Sequence, residues 1–389
     1  MHSPRHIPDM NTRPARSAPA SGFELLARDL KQEFQAWRGE SWSDRKFERL
    51  ARRLFEFQFT HCAPYRRYCL ARSKDPGTIG DWREIPPVPA EAFRHVDLAC
   101  LRTDAELTFR TSGTSRGSEL RGIHTVPDPT LYRASLRPAF CRLALGIDGE
   151  PDASRIISLV PPFEAEAASS LAWMIDDLIL AYGGAGSGSV ATPRGIDWES
   201  LAGLCRSAEG DADPGSNLAS GGPYLLGTTL AFSAWLDVLE SEDARFILPA
   251  STLLMDTGGA KGREGLDREA MFGRLLPRLG LDGSRVVNEF GMTELLSQRY
   301  GRGTGAEPLF APPWLRSLVL DPVSLEPREE GEEGILCHYD LANAGSVTAV
   351  LTEDRGRAER GGIVLLGRTP GAPPRGCSLA TADLLRVAG

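Results

Sequence analysis

The order of predicted secondary structure is the feature that most constrains the fold. Between about residues 107 and 290, short strand-like runs alternate with helical patterns; the runs include RIISLVPP, PYLLG, STLLMD and RVVNEF. Beyond about residue 317, strand-like segments follow one another with short connections, as SLVLDP, GILCHYDL and SVTAVLTED. Alternating strands and helices are typical of an α/β domain, and consecutive strands of an antiparallel unit. The sequence therefore predicts an α/β large domain with an added β subdomain.

The N-terminal region divides into a tail and a helical segment. Residues 1–22 are rich in Pro, Arg and Ser and lack an apolar run, so we expect a disordered tail there. From residue 23 to about residue 58, large apolar residues recur at helical spacing, as at Phe23, Leu26, Leu30 and Phe34. The large domain is therefore expected to begin at Phe23.

Composition and charge exclude several classes of function. The formal net charge of -8 argues against nucleic acid as a partner, because phosphate contacts need clustered Lys and Arg. No stretch approaches the roughly 20 apolar residues of a membrane span, and the N-terminus lacks the apolar core of a secretory signal. The cysteines form no CxxC pair, which disfavours structural zinc and is typical of reduced thiols. A cytoplasmic enzyme is expected.

A loop rich in hydroxyl groups is the first candidate site. It follows a predicted strand at 107–109 and consists of Thr111, Ser112, Gly113, Thr114, Ser115, Arg116 and Gly117. Small residues let backbone N–H groups converge on an anion, and hydroxyls add hydrogen-bond donors. The Walker pattern GxxxxGK[ST] is absent. Taken alone, the loop is compatible with phosphate binding and equally with a solvated turn.

A glycine turn after a predicted strand is the second candidate site. The segment reads Asn288-Glu289-Phe290-Gly291-Met292-Thr293-Glu294. Here Phe290 can cover an adenine ring and Thr293 can bond a phosphate oxygen. Glu294 can hold Mg²⁺, which prefers one or two carboxylates together with phosphates and water. The motif alone also leaves open a strand-end turn with an N-cap threonine and a first-turn glutamate.

Four motifs in order resemble those of the adenylate-forming superfamily, which includes acyl-CoA synthetases, luciferases and peptide-synthetase adenylation domains. TSGTSRG resembles its phosphate-binding loop, and EFGMTE its aromatic-Gly-x-Thr-Glu motif. The segment TEDRG, residues 352–356, resembles the motif whose aspartate binds ribose, and Gly367-Arg368 resembles the hinge that follows. Within the superfamily, the chain is most similar to the acyl-protein synthetase component of the bacterial luminescence fatty-acid reductase. That likeness rests on MDTGGAKGR, YDLANAGSVTAVLTED and LLGRTPGAPPRGCSLA.

The resemblance implies an ATP- and Mg²⁺-dependent ligase that activates a carboxylic acid, a fatty acid above all, and transfers it to a protein thiol. A reductase or a carrier protein would then receive the acyl group. The implied domains are a large domain over residues 23–366 and a short segment over 367–389 after the hinge. The residues implied to bind the cofactors are Thr111, Ser112, Gly113, Thr114, Ser115, Gly258, Gly259, Phe290, Gly291, Thr293, Asp354 and Arg368, with Glu294 as the metal ligand.

The chain departs from the superfamily pattern at three places. Ser118-Glu119-Leu120 stands where the phosphate loop usually continues as Pro-Lys-Gly, so that Arg116 or Arg121 would have to supply the charge. Thr369-Pro370 follows the hinge, where an acidic residue is usual. The sequence ends at Gly389, so a truncated C-terminal domain is expected and its catalytic lysine has no counterpart. Acyl-protein synthetases share this truncation.

Cys377, in PPRGCSL, matches the motif around the acyl-carrying cysteine of the acyl-protein synthetases. Arg375 is expected to lower the pKa of the thiol and so to raise its nucleophilicity. The alternative is a small buried cysteine. The residues YDLAN, with Asp340 and Asn343, either shape the nucleotide site or make a turn, and His124 is expected to be structural.

Three other functions stay open at this point. A ligase of the phenylacetate-CoA type would release a free thioester and would not need Cys377. An activating enzyme of a biosynthetic pathway would load a carrier protein. A non-catalytic relative would retain only the fold, which the missing loop lysine makes a real alternative.

Overall fold

The computed structural model describes residues 20–103, 107–111, 121–165, 168–209, 222–258, 267–368 and 374–388. The α-helices in these residues are α1 (Ala20–Gln35), α2 (Asp44–His61), α3 (Ala63–Ala71), α4 (Pro129–Ala139), α5 (Ser170–Tyr182), α6 (Trp198–Glu209), α7 (Thr229–Ser241), α8 (Arg268–Leu279) and α9 (Arg375–Ala388). A π-helical turn, Phe140–Leu145, extends α4. Side chains of Ser43, Asp128, Ser169, Thr228 and Asp267 cap the N-termini of the helices that follow them.

The strands are mostly short. They are β1 (Val88–Pro89), β2 (Leu107–Arg110), β3 (Ile123–Val126), β4 (Ile156–Ser158), β5 (Gly188–Ser189), β6 (Ala191–Thr192), β7 (Gly195–Ile196), β8 (Tyr224–Gly227), β9 (Leu253–Asp256), β10 (Val286–Phe290), β11 (Arg299–Arg302), β12 (Leu315–Leu320), β13 (Glu333–Asp340), β14 (Ala349–Glu359) and β15 (Gly362–Arg368). The runs that the sequence predicts as strands coincide with β2, β4, β8, β9, β10, β12, β13 and β14.

The larger sheet has the strand order β11-β10-β9-β8-β4-β5. Strands β5, β4, β8, β9 and β10 are parallel, and β11 is antiparallel at the edge. One hydrophobic cluster, which contains α7 and α8, packs on one side; a larger cluster, which contains α4 and α5, packs on the other. A parallel sheet that is covered on both faces explains why its strands read as continuous apolar runs.

The β subdomain is a second sheet, in which β12, β13, β14 and β15 pair antiparallel and β1 joins β14 in parallel. The predicted antiparallel order of the last strands is therefore confirmed. Helix α9 packs against α3, and the ion pair Arg72–Asp383 joins the two helices at 2.9 Å. No helix among the described residues combines the length and the apolarity that a bilayer crossing would require.

Candidate active site

The carboxyl ends of four parallel strands meet at one edge of the larger sheet. Strands β4, β8, β9 and β10 end at Ser158, Gly227, Asp256 and Phe290. Ligands of open α/β sheets bind outside this edge. Two of the predicted segments begin here, one with Gly258 after β9 and the other with Gly291 after β10. Gly258 has a φ of +40°, a conformation that side chains disfavour.

The predicted phosphate loop joins two antiparallel strands, β2 and β3. Thr111 and Gly122 close its base, because the Thr111 N–H donates to the Gly122 carbonyl at 3.0 Å and the Gly122 N–H donates to Thr111 Oγ1 at 2.8 Å. A Cβ on Gly122 would lie 2.9 Å from Thr111 Cγ2, so the close approach requires glycine. Ser112, Gly113, Thr114 and Ser115 lie outside the described residues, as does Gly259 of the segment after β9.

His124 connects this hairpin to the Thr-Glu turn. Its Nδ1 lies 2.7 Å from the Thr293 carbonyl oxygen. Because a carbonyl only accepts hydrogen bonds, Nδ1 must carry the hydrogen. Burial lowers the pKa of His124 to about 4, so the ring is neutral at neutral pH. The histidine therefore has the structural role that the sequence predicts, and it lies between two predicted parts of the site.

The YDLAN segment holds the same turn from the other sheet. Asp340 accepts hydrogen bonds from the Leu296 N–H at 2.8 Å, from Ser297 Oγ at 2.7 Å and from the Ala342 N–H at 3.0 Å. Asn343 Nδ2 donates to the Glu294 carbonyl at 2.7 Å and to the Val347 carbonyl at 3.0 Å. Asp340 and Asn343 do make a turn, because the Asn343 N–H donates to the Asp340 carbonyl at 3.1 Å. The same segment holds the backbone that carries Thr293 and Glu294, and its part in a nucleotide site stays a prediction.

Gln58, on α2, is a residue that the sequence analysis missed. Its Nε2 donates to the Asn343 carbonyl at 2.9 Å, and its Oε1 accepts from the Thr348 N–H at 3.0 Å. A fully buried glutamine in an apolar helix face is the signal that could have found it, since buried amides need partners. We refer to Gln58, His124, Asp340 and Asn343 as the turn clamp.

The clamp fixes the backbone of a turn that carries two of the predicted catalytic residues, Thr293 and Glu294. Glu294 is 7% exposed, and its main-chain carbonyl is held by Asn343. No group of three potential metal-ligating side chains occurs in the described part of the chain. A single carboxylate nevertheless fits Mg²⁺, which takes most of its ligands from phosphates and water.

A cavity of about 330 Å³ opens beside Asn288, another residue that the sequence analysis assigned no role. It is lined by Asp267, Arg268, Glu269, Asn288, Thr304, Gly305, Ala306, Glu307, Leu309 and Leu365. The guanidinium of Arg268 is already bound to Asp256 at 2.6 Å. With three carboxylates and one paired cation, the cavity disfavours a phosphate group and suits a neutral ring or a sugar.

The aromatic ring of Phe290 lies beside the β subdomain. Its centroid is 5.7 Å from that of His338, a fully buried ring whose pKa burial lowers to about 3. His338 Nδ1 lies 2.6 Å from Ser317 Oγ, and Ser317 also receives a hydrogen bond from Arg299. The described contacts therefore place Phe290 against protein groups of the second sheet.

Asp354 and Arg368 form an ion pair between β14 and β15. Arg368 Nε lies 3.1 Å from Asp354 Oδ1, and the Asp354 N–H donates to Thr352 Oγ1 at 3.1 Å. The same hairpin contributes Leu365 to the wall of the cavity beside Asn288. The predicted ribose-binding and hinge residues therefore contact each other, on a hairpin that borders this cavity.

The expected activation of Cys377 is wrong. Its side chain, 4% exposed on α9, donates to the Thr352 carbonyl at 3.3 Å. Burial raises the pKa of the thiol to about 12, because the apolar surroundings disfavour a thiolate. Arg375 is exposed, so its charge is screened by water and cannot offset that burial.

The fold is shared with solved ligase structures. A 2-hydroxyisobutyryl-CoA ligase in the postadenylation state, in complex with R3-HIB-AMP, matches 93% of this chain with 73% of its own, at 13% identity and a TM-score of 0.57. An open conformation of that ligase, in complex with 2-HIB-AMP and CoA, matches 93% of this chain with 81% of its own, at 14% identity and a TM-score of 0.56.

A weaker likeness is found to ATP-bound MatB from Rhodopseudomonas palustris, at 15% identity and a TM-score of 0.45. It covers 67% of this chain and 47% of MatB, so the chain spans about half the length of that protein. No protein-family model matches the sequence, and no curated protein matches it. At these identities the comparisons show the fold, and the predicted α/β fold of the adenylate-forming type is confirmed.

Proposed function

We propose that this protein activates a carboxylic acid with ATP and transfers the acyl group to a thiol. The observation that carries the proposal is the clamped Thr293–Glu294 turn, which lies at the carboxyl edge of the sheet and is joined by His124 to the base of the predicted phosphate loop. The fold is shared with 2-hydroxyisobutyryl-CoA ligase, whose structures hold 2-HIB-AMP and CoA.

The first step joins the acid to AMP. A carboxylate oxygen of the acid bonds to the α-phosphorus of ATP, the bond between the α- and β-phosphates breaks, and pyrophosphate leaves. Glu294 would hold Mg²⁺, which supplies neutralisation of phosphate charge, while Thr293 and the loop from Thr111 to Ser115 would donate hydrogen bonds to phosphate oxygens. The chain contributes mainly position and electrostatic complementarity.

The nucleoside part of ATP would occupy the cavity beside Asn288. An amide side chain can both donate to and accept from the edge of an adenine ring. The carboxylate of Asp354 would accept hydrogen bonds from ribose hydroxyls, in exchange for its ion pair with Arg368. The Gly258 and Gly291 segments would let backbone approach the nucleotide closely, with Phe290 at the rim.

In the second step, a thiolate attacks the acyl carbonyl and AMP leaves. The sequence likeness favours a fatty acid as the substrate and a protein thiol as the acceptor, either Cys377 or a thiol on a partner such as a reductase or a carrier. Cys377 donates to Thr352, two residues before Asp354 on β14. To accept the acyl group it would have to leave this burial and lose its proton.

A second candidate function is a ligase that transfers the acyl group to CoA. The burial of Cys377 and the raised pKa of its thiol favour it, because they make the internal acceptor a poor nucleophile in this conformation. Adenylation of the acid is common to both candidates, and only the acceptor differs.

The test is acid-dependent exchange of label between pyrophosphate and ATP, measured over fatty, aromatic and substituted short acids. Glu294→Gln should lower the exchange by about 100-fold or more, since it removes the charge that holds the metal. Glu242→Gln, on an exposed helix end, is the matched control and should exchange as wild type does. Absence of exchange with every acid in folded wild-type protein would refute the proposal.

The acceptor is identified in a separate assay with radiolabelled acid. Label retained on wild-type protein and lost in Cys377→Ser would establish the internal acceptor. Cys205→Ser is the matched control, because burial raises the pKa of that thiol to about 12 as well. Exchange without protein labelling, together with a CoA-dependent product, would instead establish the CoA ligase.

A further inference from the structure

Four polar side chains share the face of the larger sheet that looks towards α4 and α5. Met255 pairs with Val287 across β9 and β10, so the next residues on that face are Thr257 and Glu289. Glu289 in turn pairs with Tyr300 across β10 and β11, and Gln298 precedes Tyr300 by two residues. Because side chains alternate along strands, the shared face carries Thr257, Glu289, Gln298 and Tyr300. We refer to these four residues as the acceptor face.

Three groups of the acceptor face are buried without a partner. Gln298 is 3% exposed and Tyr300 is 1% exposed. Among the described residues, nothing hydrogen-bonds to Gln298 Oε1, to the Tyr300 hydroxyl or to Thr257 Oγ1. Buried polar atoms of native proteins almost always have partners, so a cluster of three exceptions needs an explanation.

Glu289 adds a buried carboxyl to the same cluster. Burial and the Asp256 carboxylate raise its pKa to about 8, and no hydrogen bond from the residues that the structure describes lowers it. Its Oε1 lies 2.7 Å from the position that a Cβ on Gly291 would occupy. The carboxyl therefore lies beside Gly291, near the carboxyl edge of the sheet where the Thr293–Glu294 turn begins, in space that a side chain at Gly291 would fill.

Two members of the cluster, Glu289 and Gln298, offer acceptor oxygens, and the hydroxyls of Thr257 and Tyr300 can either accept or donate. Gln298 Nε2 donates one of its two hydrogens to the Tyr132 hydroxyl at 3.2 Å, whereas Gln298 Oε1 has no partner among the described residues. Tyr132 stacks on Trp173 with centroids 4.6 Å apart, which adds an aromatic wall beside the two acceptors. A plain hydrocarbon placed here would leave every one of these groups unpaired.

We propose that the acid which this enzyme activates carries a hydrogen-bond donor, a hydroxyl or an amino group, on its acyl part. The Glu289 carboxyl and Gln298 Oε1 accept from that group, and the hydroxyls of Thr257 and Tyr300 complete its surroundings. This inference rests on the proposed adenylation of a carboxylic acid. It narrows the substrate class away from unsubstituted fatty acids.

The test uses pyrophosphate exchange with pairs of acids of equal length, aliphatic and aromatic, in which one member carries a hydroxyl or amino group and the other a methyl group. Wild-type kcat/KM should favour the donor-bearing acid by about 100-fold, because a site built around a polar group rejects the analogue that lacks it. Glu289→Met and Gln298→Met should each reduce this ratio by about 10-fold or more. Tyr65→Phe, which removes a buried hydroxyl on α3, should leave the ratio unchanged.

The hydroxyl and amino members of the panel distinguish the two donors. Exchange with methyl-bearing acids at equal or higher kcat/KM would overturn this inference and leave the adenylation intact. A preference that both variants retain would also overturn it. Exchange with no acid at all would overturn the adenylation and this inference together. If Glu289→Met does not fold, as judged by its circular dichroism, the ratio in Gln298→Met decides.

Discussion

Two clusters of buried polar side chains lie beside strand β10 and the turn that follows it, and they are organised in opposite ways. The polar atoms of the turn clamp are bonded to other protein groups, and the side chains of Gln58, Asp340 and Asn343 together make eight hydrogen bonds of 2.7–3.1 Å. Of its atoms, only Asn343 Oδ1 has no partner among the described residues. On the acceptor face, by contrast, three residues have buried atoms without a partner.

This difference indicates that the turn clamp supports the backbone, whereas the acceptor face is suited to binding a ligand. A buried network whose members are satisfied rigidifies the backbone that it holds, whereas unsatisfied groups cost free energy unless something binds them. The clamp bonds to main-chain atoms of the Thr293–Glu294 turn and therefore fixes its position. Three groups of the acceptor face have no hydrogen-bond partner among the described residues, so a ligand can form hydrogen bonds with them. Mutations in the two clusters should accordingly have opposite effects on the stability of the free protein.

The largest effect is expected from breaking the clamp at Asp340. Replacement by Ala leaves the Leu296 and Ala342 N–H groups and the Ser297 hydroxyl without their acceptor. Each buried unpaired group costs about 1–3 kcal/mol, and removal of the buried carboxyl offsets part of this cost. We therefore expect the free energy of unfolding to fall by about 4 kcal/mol. Urea unfolding measures it. Asp340→Asn keeps one acceptor oxygen and should lose less; equal losses, or a loss below about 1 kcal/mol, would contradict the support role.

A smaller effect, with a sign set by pH, is expected at Glu289 of the acceptor face. Its folded pKa of about 8 lies above the ordinary value of 4.5, so the folded protein keeps a proton that the unfolded chain has lost between those values. Stability contributed by this group is therefore full below pH 4.5 and is lost as pH rises towards 8. At about 1.4 kcal/mol per pH unit, the wild type should lose about 2.5 kcal/mol more than Glu289→Gln between pH 6 and pH 8.

The measurement is the free energy of urea unfolding of both proteins at several pH values. The two curves should diverge as pH rises, with Glu289→Gln the more stable protein at pH 8. Parallel curves would show that Glu289 is solvated or paired in solution. Glu289 would then not differ from the satisfied residues of the turn clamp.

Much of this architecture could be predicted from the sequence, because it depends on local pattern. The predicted strands that carry the site coincide with short apolar runs, and the segment from Phe290 to Glu294 does lie at the carboxyl edge of the sheet. The mixed sheet order could not be read from those patterns, since a run of four apolar residues does not specify its neighbour.

The two clusters themselves depend on contacts that sequence patterns do not encode. Gln58 bonds to Asn343, 285 residues away, from a helix whose other buried residues are mostly apolar. The acceptor face appears only once the registers of β9, β10 and β11 are known. Cys377 is also mispredicted for this reason. The neighbouring Arg375 predicts a reactive thiol, but α9 packs so that Cys377 is buried against the Thr352 carbonyl of β14.

The smallest effect is expected when the same substitution, Tyr to Phe, is made at two buried positions. Tyr300→Phe removes a buried hydroxyl that has no partner among the described residues, whereas Tyr65→Phe removes one that donates to the Pro86 carbonyl at 2.9 Å. A buried hydrogen bond contributes about 1 kcal/mol, and an unpaired hydroxyl contributes none. Tyr65→Phe should therefore lose about 1 kcal/mol by urea unfolding, while Tyr300→Phe should be as stable as wild type or more stable. Equal losses would mean that the Tyr300 hydroxyl is already satisfied by bound water in solution, and that a ligand gains nothing by reaching it.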